Sequence, residues 1–184
     1  MHHMMLDPVV GVLIVGCIAI LLASAGAHKL RDPRRFDEIF AAYGVIPGIA
    51  KLRLSRLLPF LEIGLAAGML INASRPLVGV VVIALMLTYA AAIEINLRRG
   101  RRDLACGCGG PDDRRPIASW MVWRNIVVSA AVAISLFPWS ARPLVPMDGV
   151  TIVFGVITVS LLYLCVDLLL GDVARRTAQL RGDR

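Results

Sequence analysis

The most reactive local arrangement in the chain is Cys106-Gly107-Cys108, followed by Gly109-Gly110. Two thiols separated by one residue can close a very small disulfide ring, and Gly107 supplies the backbone angles such a ring requires. A strained ring is easily reduced, which suits a pair cycling between dithiol and disulfide better than a structural staple. Arg101, Arg102, Arg114 and Arg115 flank the pair, and nearby positive charge favours the reactive thiolate. Two other readings stay open at this point. Cys106, Cys108, Asp112 and Asp113 offer four zinc ligands, but not a usual set, so no metal is assigned. The pair can also be two inert thiols in a loop. The adjacent His2 and His3 near the N-terminus carry little weight as a metal motif.

A second group of chemically capable residues lies inside apolar stretches. A bilayer crossing needs about 20 apolar residues. Five stretches meet or approach that: residues 8–27, 57–71, 76–97, 117–137 and 147–170. Glu62 falls roughly 10 Å from the inner end of the second, at a rise of about 1.5 Å per residue. Arg124 falls at the same depth in the fourth, with Asn125 beside it. Glu94 and Asn96 sit near the inner end of the third, Asp167 near that of the fifth, and His28 at the exit of the first. An isolated charge in hydrocarbon is costly, so Glu62 and Arg124 are expected to couple, with Glu94 as the competing partner. The bland alternative is an ion pair that only fixes helix packing. Glu94 and Asp167 are expected to reach the interface. Cys17 and Cys165 lie within the first and fifth stretches, where a lone cysteine usually acts as a small hydrophobe. A thiol relay from the loop pair through Cys165 or Cys17 is the sharper alternative.

These residues must be positioned by an all-α membrane bundle of about five (four to five) transmembrane helices, forming a single domain over residues 1–184. The composition agrees: 58% of the 184 residues are hydrophobic and the mean hydropathy is +0.74. The net charge of +7 suggests nucleic acid only until the charges are located. Seven Lys and Arg fall in loop 28–56, six in loop 98–116 and four in the polar tail 172–184, which is 17 of the 20. Arg75 and Arg142 occupy the alternate loops. The positive-inside rule then places the N-terminus outside and the C-terminus in the cytoplasm of a plasma (inner) membrane protein. The bilayer, with its anionic headgroups, is the expected partner, and nucleic acid is not. Ala23-Ser24-Ala25 resembles a signal-peptide cleavage site, but no basic residue precedes the apolar run, so a retained span is expected.

The longest connections have character of their own. In loop 28–56, Asp32-Pro33 can open a helix, and Phe36, Ile39, Phe40 and Tyr43 recur at helical spacing. This reads either as a short amphipathic helix on the inner interface or as an ordered loop packed on the bundle. Gly64-x-x-x-Gly68 in the second stretch lets helix backbones approach closely. Trp120, Trp123 and Trp139 mark the edges of the fourth span. The tail 172–184 is expected to fray or lie on the headgroups.

Ala25-Gly26-Ala27-His28-Lys29-Leu30-Arg31-Asp32-Pro33 and Pro59-x-x-Glu62-Ile63-Gly64-Leu65 resemble the DoxX-like membrane families. Adding Cys106-Gly107-Cys108, Ser119-Trp120 and Arg124-Asn125 narrows the likeness to the methylamine utilisation protein MauE group, over roughly residues 8–170. The resemblance implies a membrane thiol–disulfide redox role. That role assists disulfide maturation of the methylamine dehydrogenase small subunit, alongside a thioredoxin-like partner, MauD. It carries over Cys106 and Cys108 as the redox pair, and Glu62, Arg124 and Asn125 as polar positions of the bundle. Maturation takes place outside, whereas the charge distribution puts the pair on the cytoplasmic face. Either electrons cross from a cytoplasmic thiol donor, or the orientation is opposite to that given by the charges.

The expected function is therefore a thiol–disulfide oxidoreductase working with a thioredoxin-like protein. No residue identifies a cofactor, although a quinone is an electron sink open to it. Two alternatives belong to other classes. One is a non-catalytic accessory or assembly subunit of a respiratory or dehydrogenase complex. The other is a small transporter using the Glu62–Arg124 layer as a polar path.

Overall fold

The computed structural model describes residues 5–44, 50–107 and 116–182. These contain six helices and no β-strand: α1 (Pro8–Arg31), α2 (Pro33–Ala42), α3 (Ala50–Met69), α4 (Arg75–Arg98), α5 (Ser119–Ser135) and α6 (Pro146–Gly182). By length and composition α1, α4 and the Pro146–Ala174 part of α6 can cross a bilayer, and α5 is a shorter apolar helix. The protein is an all-α membrane bundle.

Local signals set the helix starts. The Asp7 side chain accepts the Val9 N–H at 2.8 Å, with Pro8 in the first turn of α1. Asp32 does the same for Arg35 at 3.2 Å, with Pro33 opening α2. Between α3 and α4, the Ser74 hydroxyl donates to the Gly68 carbonyl at 2.9 Å, and Arg75 bonds Asn72.

Helix α1 is the centre of the bundle. Val15, Ile18, Leu22, Gly26 and Lys29 form its buried stripe, at spacings of three and four residues. Against it lie α3 on one side and α6 on another, while α4 pairs with α5. Met69, Val82 and Val132 are fully enclosed between them. The closest approach is at Gly26, where a β-carbon would stand 2.8 Å from the Pro59 carbonyl oxygen and 2.8 Å from Ile63 Cγ1. Where apolar faces meet in lipid, such tight backbone packing replaces the hydrophobic drive that water would supply.

Several boundaries differ from those read off the sequence. α1 continues past residue 27 to Arg31, because His28, Lys29 and Arg31 in its last turn suit the negative end of the helix dipole. Loop 28–56 is largely helical. α2 packs on the bundle: Phe36 is buried in the main core, and Phe40 packs against the same cluster. It packs on α3, which begins at Ala50 and bears Pro59 in its interior. The stretch 172–182, read as a polar tail, continues α6, with an Asp172–Arg176 ion pair one turn apart at 2.9 Å. Gly64-x-x-x-Gly68 is not a paired seat. Gly64 has nothing within 4 Å of a built β-carbon, while Gly68 abuts Val78 of α4. Trp139 is folded under α1, its ring so close to Gly11 that a β-carbon there would collide at 2.4 Å.

At the end opposite Cys106, the Leu6 N–H donates to the Pro138 carbonyl at 2.8 Å, and the Ser140 N–H donates to the Leu6 carbonyl at 2.9 Å. Arg142 binds Asp7 at 3.3 Å and Asp148 at 2.8 Å, tying the start of α1 to the α5–α6 connection. Arg142 and a backbone bond from Val9 hold the Asp7 carboxyl below the usual carboxylate range.

Candidate functional site

The segment after α4 is pinned before it reaches the cysteines. Gly100, at a φ of +75°, closes the helix, and the Arg101 N–H donates to the Asn96 carbonyl at 3.0 Å. Asn96, fully buried, donates to the Tyr43 carbonyl at 3.2 Å. The Arg101 guanidinium donates to Asn96 Oδ1 at 3.1 Å and to the Ala42 carbonyl at 2.7 Å. Arg101 thus bolts the end of α2 to α4. An antiparallel bridge between Ala105 and Pro116, with the Ile117 N–H donating to the Leu104 carbonyl at 2.9 Å, gathers the two ends of the cysteine loop.

Cys106 emerges from this frame as a disulfide-bonded residue, half-buried against Ile93, Ile117 and Met121. The Tyr43 hydroxyl donates to its carbonyl at 3.2 Å. Burial pushes the Tyr43 phenol well above its usual range, so it remains a donor at any physiological pH. Gly107 has a φ of +63°, and a β-carbon there would lie 2.8 Å from Ile39 Cγ2. Glycine is required twice over, by backbone conformation and by the pressure of α2. Cys108, Asp112, Asp113, Arg114 and Arg115 lie outside the described residues.

The polar residues of the spans pair differently from the expectation. Glu62, fully enclosed, is held by Lys29: Nζ donates to Oε1 at 2.6 Å and to Oε2 at 2.7 Å. The Tyr89 hydroxyl donates to Oε1 at 2.7 Å. Lys29 Nζ also lies 5.4 Å from the Phe36 ring centroid and 5.6 Å from that of Tyr89, within cation–π range. Arg124 instead meets Asp167 of α6 at 2.8 Å, under the Trp120 ring. Glu94 pairs one turn away with Arg98 at 2.6 Å, on an exposed face. The expected Glu62–Arg124 couple is therefore replaced by two separate pairs. Its premise was that Lys29 belonged to a loop, but the extra turn of α1 swings that residue into the bundle. Asp167 is buried, 8% exposed. Asn125 is buried, its amide donating to the Met121 carbonyl at 3.0 Å.

Lys29 and Tyr89 were the residues missed. Both extend stripes that the structure buries, Lys29 that of Leu22 and Gly26, Tyr89 that of Val82 and Met86, but these helices are apolar nearly all round, so the sequence does not mark which face turns inward.

A cavity of about 330 Å³ joins these groups. Cys106 and Gly107 border one end, and Leu21 and Leu22 of α1 the other. Lys29, Glu62 and Tyr89 line one wall, and Arg124, Asn125 and Tyr163 another. The remaining lining is aliphatic and aromatic. Leu54 and Leu61 of α3 and Thr88 of α4, all exposed, border it as well, so it opens sideways between those helices. Cys17 and Cys165 are free thiols, the first half-buried and beside Ser160, the second exposed on α6. Neither borders the cavity. Among the described residues no three His, Cys, Asp or Glu side chains gather as a metal site.

Fold and site together define a class: a small helical membrane protein with a disulfide-bearing loop folded over a buried, charge-neutral polar cluster. Residues 7–138 match the model of the family described as methylamine utilisation protein MauE, and the chain belongs to that family. It is similar to proteins named methylamine utilization protein MauE from several bacteria. That of Paracoccus denitrificans is 33% identical over 162 residues, 88% of this chain and 87% of the relative. That of Methylophilus methylotrophus is 30% identical over 178 residues, 96% and 94% of the two chains. That of Paracoccus versutus is 30% identical over 186 residues, 99% and 100%. No solved structure matches.

Proposed function

We propose that this protein is a plasma-membrane thiol–disulfide redox protein. In this reading Cys106 and Cys108 are its exchanging pair, and it assists disulfide maturation of a partner protein together with a thioredoxin-like protein. The carrying observation is that Cys106 is half of a disulfide and borders the same cavity as the Lys29–Glu62–Tyr89 cluster. Membership of a family named for methylamine utilisation points to maturation of a protein used in that process. The lopsided basic residues favour a cytoplasmic C-terminus and an external N-terminus.

Chemically, a partner dithiol attacks the disulfide through a mixed disulfide and leaves as an oxidised protein, with Cys106 and Cys108 reduced. Tyr43 and Gly107 hold the Cys106 backbone while this happens, one by a hydrogen bond and the other by its fit against α2.

Thiol trapping tests the assignment. In a Cys17→Ala, Cys165→Ala background, a maleimide-polyethylene glycol reagent should add two labels after reduction and none after oxidation. The ratio should follow the redox poise of the culture. Labelling that never changes, with function kept in a Cys106→Ser, Cys108→Ser variant, refutes it. A membrane-impermeant maleimide applied to intact and inverted vesicles of a variant retaining only Cys106 reports which side the loop faces.

A further inference from the structure

A thiol pair that oxidises partners must itself be reoxidised, and the chamber beside Cys106 has the chemistry of a site for the oxidant. From Leu21 to Lys29, the α1 residues that line it, is eight residues, about 12 Å of helix, so the cavity reaches from the loop into the depth of the bundle. On its exposed border, Leu61 and Thr88 fall within the stretches 57–71 and 76–97, whose outward faces meet hydrocarbon in a membrane bundle. An occupant can therefore enter from the bilayer without passing through water.

The wall chemistry narrows the class. Lys29 is matched by Glu62 and Arg124 by Asp167, so the chamber has no net charge to attract a phosphate or a carboxylate. Its lining is otherwise apolar, with Tyr89, Asn125 and Tyr163 among the few polar side chains. That combination suits a neutral, flat, apolar molecule with a small number of carbonyl oxygens. A volume of about 330 Å³ is at the lower end for small-ligand sites and accommodates a substituted ring rather than a whole lipid.

We propose that this cavity binds the ring of a membrane quinone, which reoxidises the Cys106–Cys108 dithiol. The two thiols lose two electrons and two protons and form one S–S bond. The quinone takes up both, each carbonyl oxygen gaining a proton, and leaves as the hydroquinone. Glu62, Lys29 and Tyr89 form a hydrogen-bonded chain along one wall, beside which those protons are transferred. The proposal rests on the thiol–disulfide reading above, and the two can fail separately.

The test uses the full chain in detergent micelles, with decylubiquinone and menadione as probes. Saturable binding is expected for the wild type in both its oxidised and its reduced form. Ala25→Phe and Ala92→Phe place a ring inside the lining and should weaken binding at least tenfold while the protein stays monodisperse. The reduced wild type should convert one equivalent of quinone to hydroquinone as its disulfide forms. Absence of saturable binding overturns the proposal, even if the thiols exchange with a soluble oxidant. So does displacement of the probe by short-chain phospholipid at equal concentration, which makes the occupant an acyl chain. Affinities unchanged in both filled variants overturn it as well. Binding in both thiol forms with no oxidation of the dithiol overturns the reoxidation step and leaves only a quinone site, while the thiol–disulfide reading stands or falls by the thiol trapping described above.

Discussion

Replacing Lys29 by methionine should be among the most damaging single changes to the folded protein. The substitution keeps the side-chain length but leaves Glu62 charged and fully enclosed, with only the Tyr89 hydroxyl as partner. Removing one member of a buried ion pair typically costs about 3–5 kcal/mol. The Tyr89 bond, worth roughly 1.5–3 kcal/mol to a charged acceptor, survives and does not replace the lost charge. Glu62→Leu alone should cost a similar amount, by removing the carboxylate that takes two hydrogen bonds from Lys29 Nζ. The double variant removes both charges and restores an apolar contact, so it should lie within about 1–2 kcal/mol of the wild type. The resulting coupling between the two positions is at least about 3 kcal/mol. Unfolding in mixed micelles titrated with sodium dodecyl sulfate, followed by tryptophan fluorescence on wild type, both single variants and the double, measures each term. Additive losses, with the double variant as unstable as the sum of the singles, would refute a direct pair and leave two unrelated packing sites.

Other substitutions separate features that look alike in sequence. Gly26→Ala should destabilise by about 1–3 kcal/mol, because the added carbon meets the Pro59 carbonyl, whereas Gly64→Ala should be neutral or gain up to about 1 kcal/mol in the same unfolding assay. Tyr43→Phe removes the bond to the Cys106 carbonyl, costing roughly 0.5–1.5 kcal/mol, and should raise the alkylation rate of reduced Cys106 several-fold in stopped-flow labelling. The Asp7 carboxyl has a folded pKa below its unfolded one, so its stabilisation is present at neutral pH and is lost as pH falls through the depressed value, below about pH 4. Asp7→Asn keeps a helix-capping side chain but removes the charge, and should flatten that acid limb in thermal melts recorded across pH.

The membrane bundle was legible because apolar runs of bilayer length have few soluble alternatives. The buried face of α1 was not, because its span is apolar nearly all round and no spacing singles out Val15, Ile18 and Leu22 as the inward residues. What failed was a pairing inferred from depth alone. Glu62 and Arg124 share a level, but depth says nothing about azimuth, and the packing of α1 on α3 put Lys29 nearer than Arg124. Hydropathy also reads a lysine as the end of a span, although an amine paired with a carboxylate can extend the buried stripe by another turn. The wedge made by Phe36 and Phe40 was visible as a helix but not as a plug, since an amphipathic pattern fits either a lipid interface or a neighbouring helix. Gly64 and Gly68 show the converse: a frequent motif whose two glycines have quite different surroundings.

The contact between Gly107 and Ile39 makes the cysteine loop and the second helix mechanically one part. Whatever draws the Cys106 backbone outward must either carry that helix along or part the two surfaces, so disturbance at the loop is felt along α2 as far as Phe36 in the core.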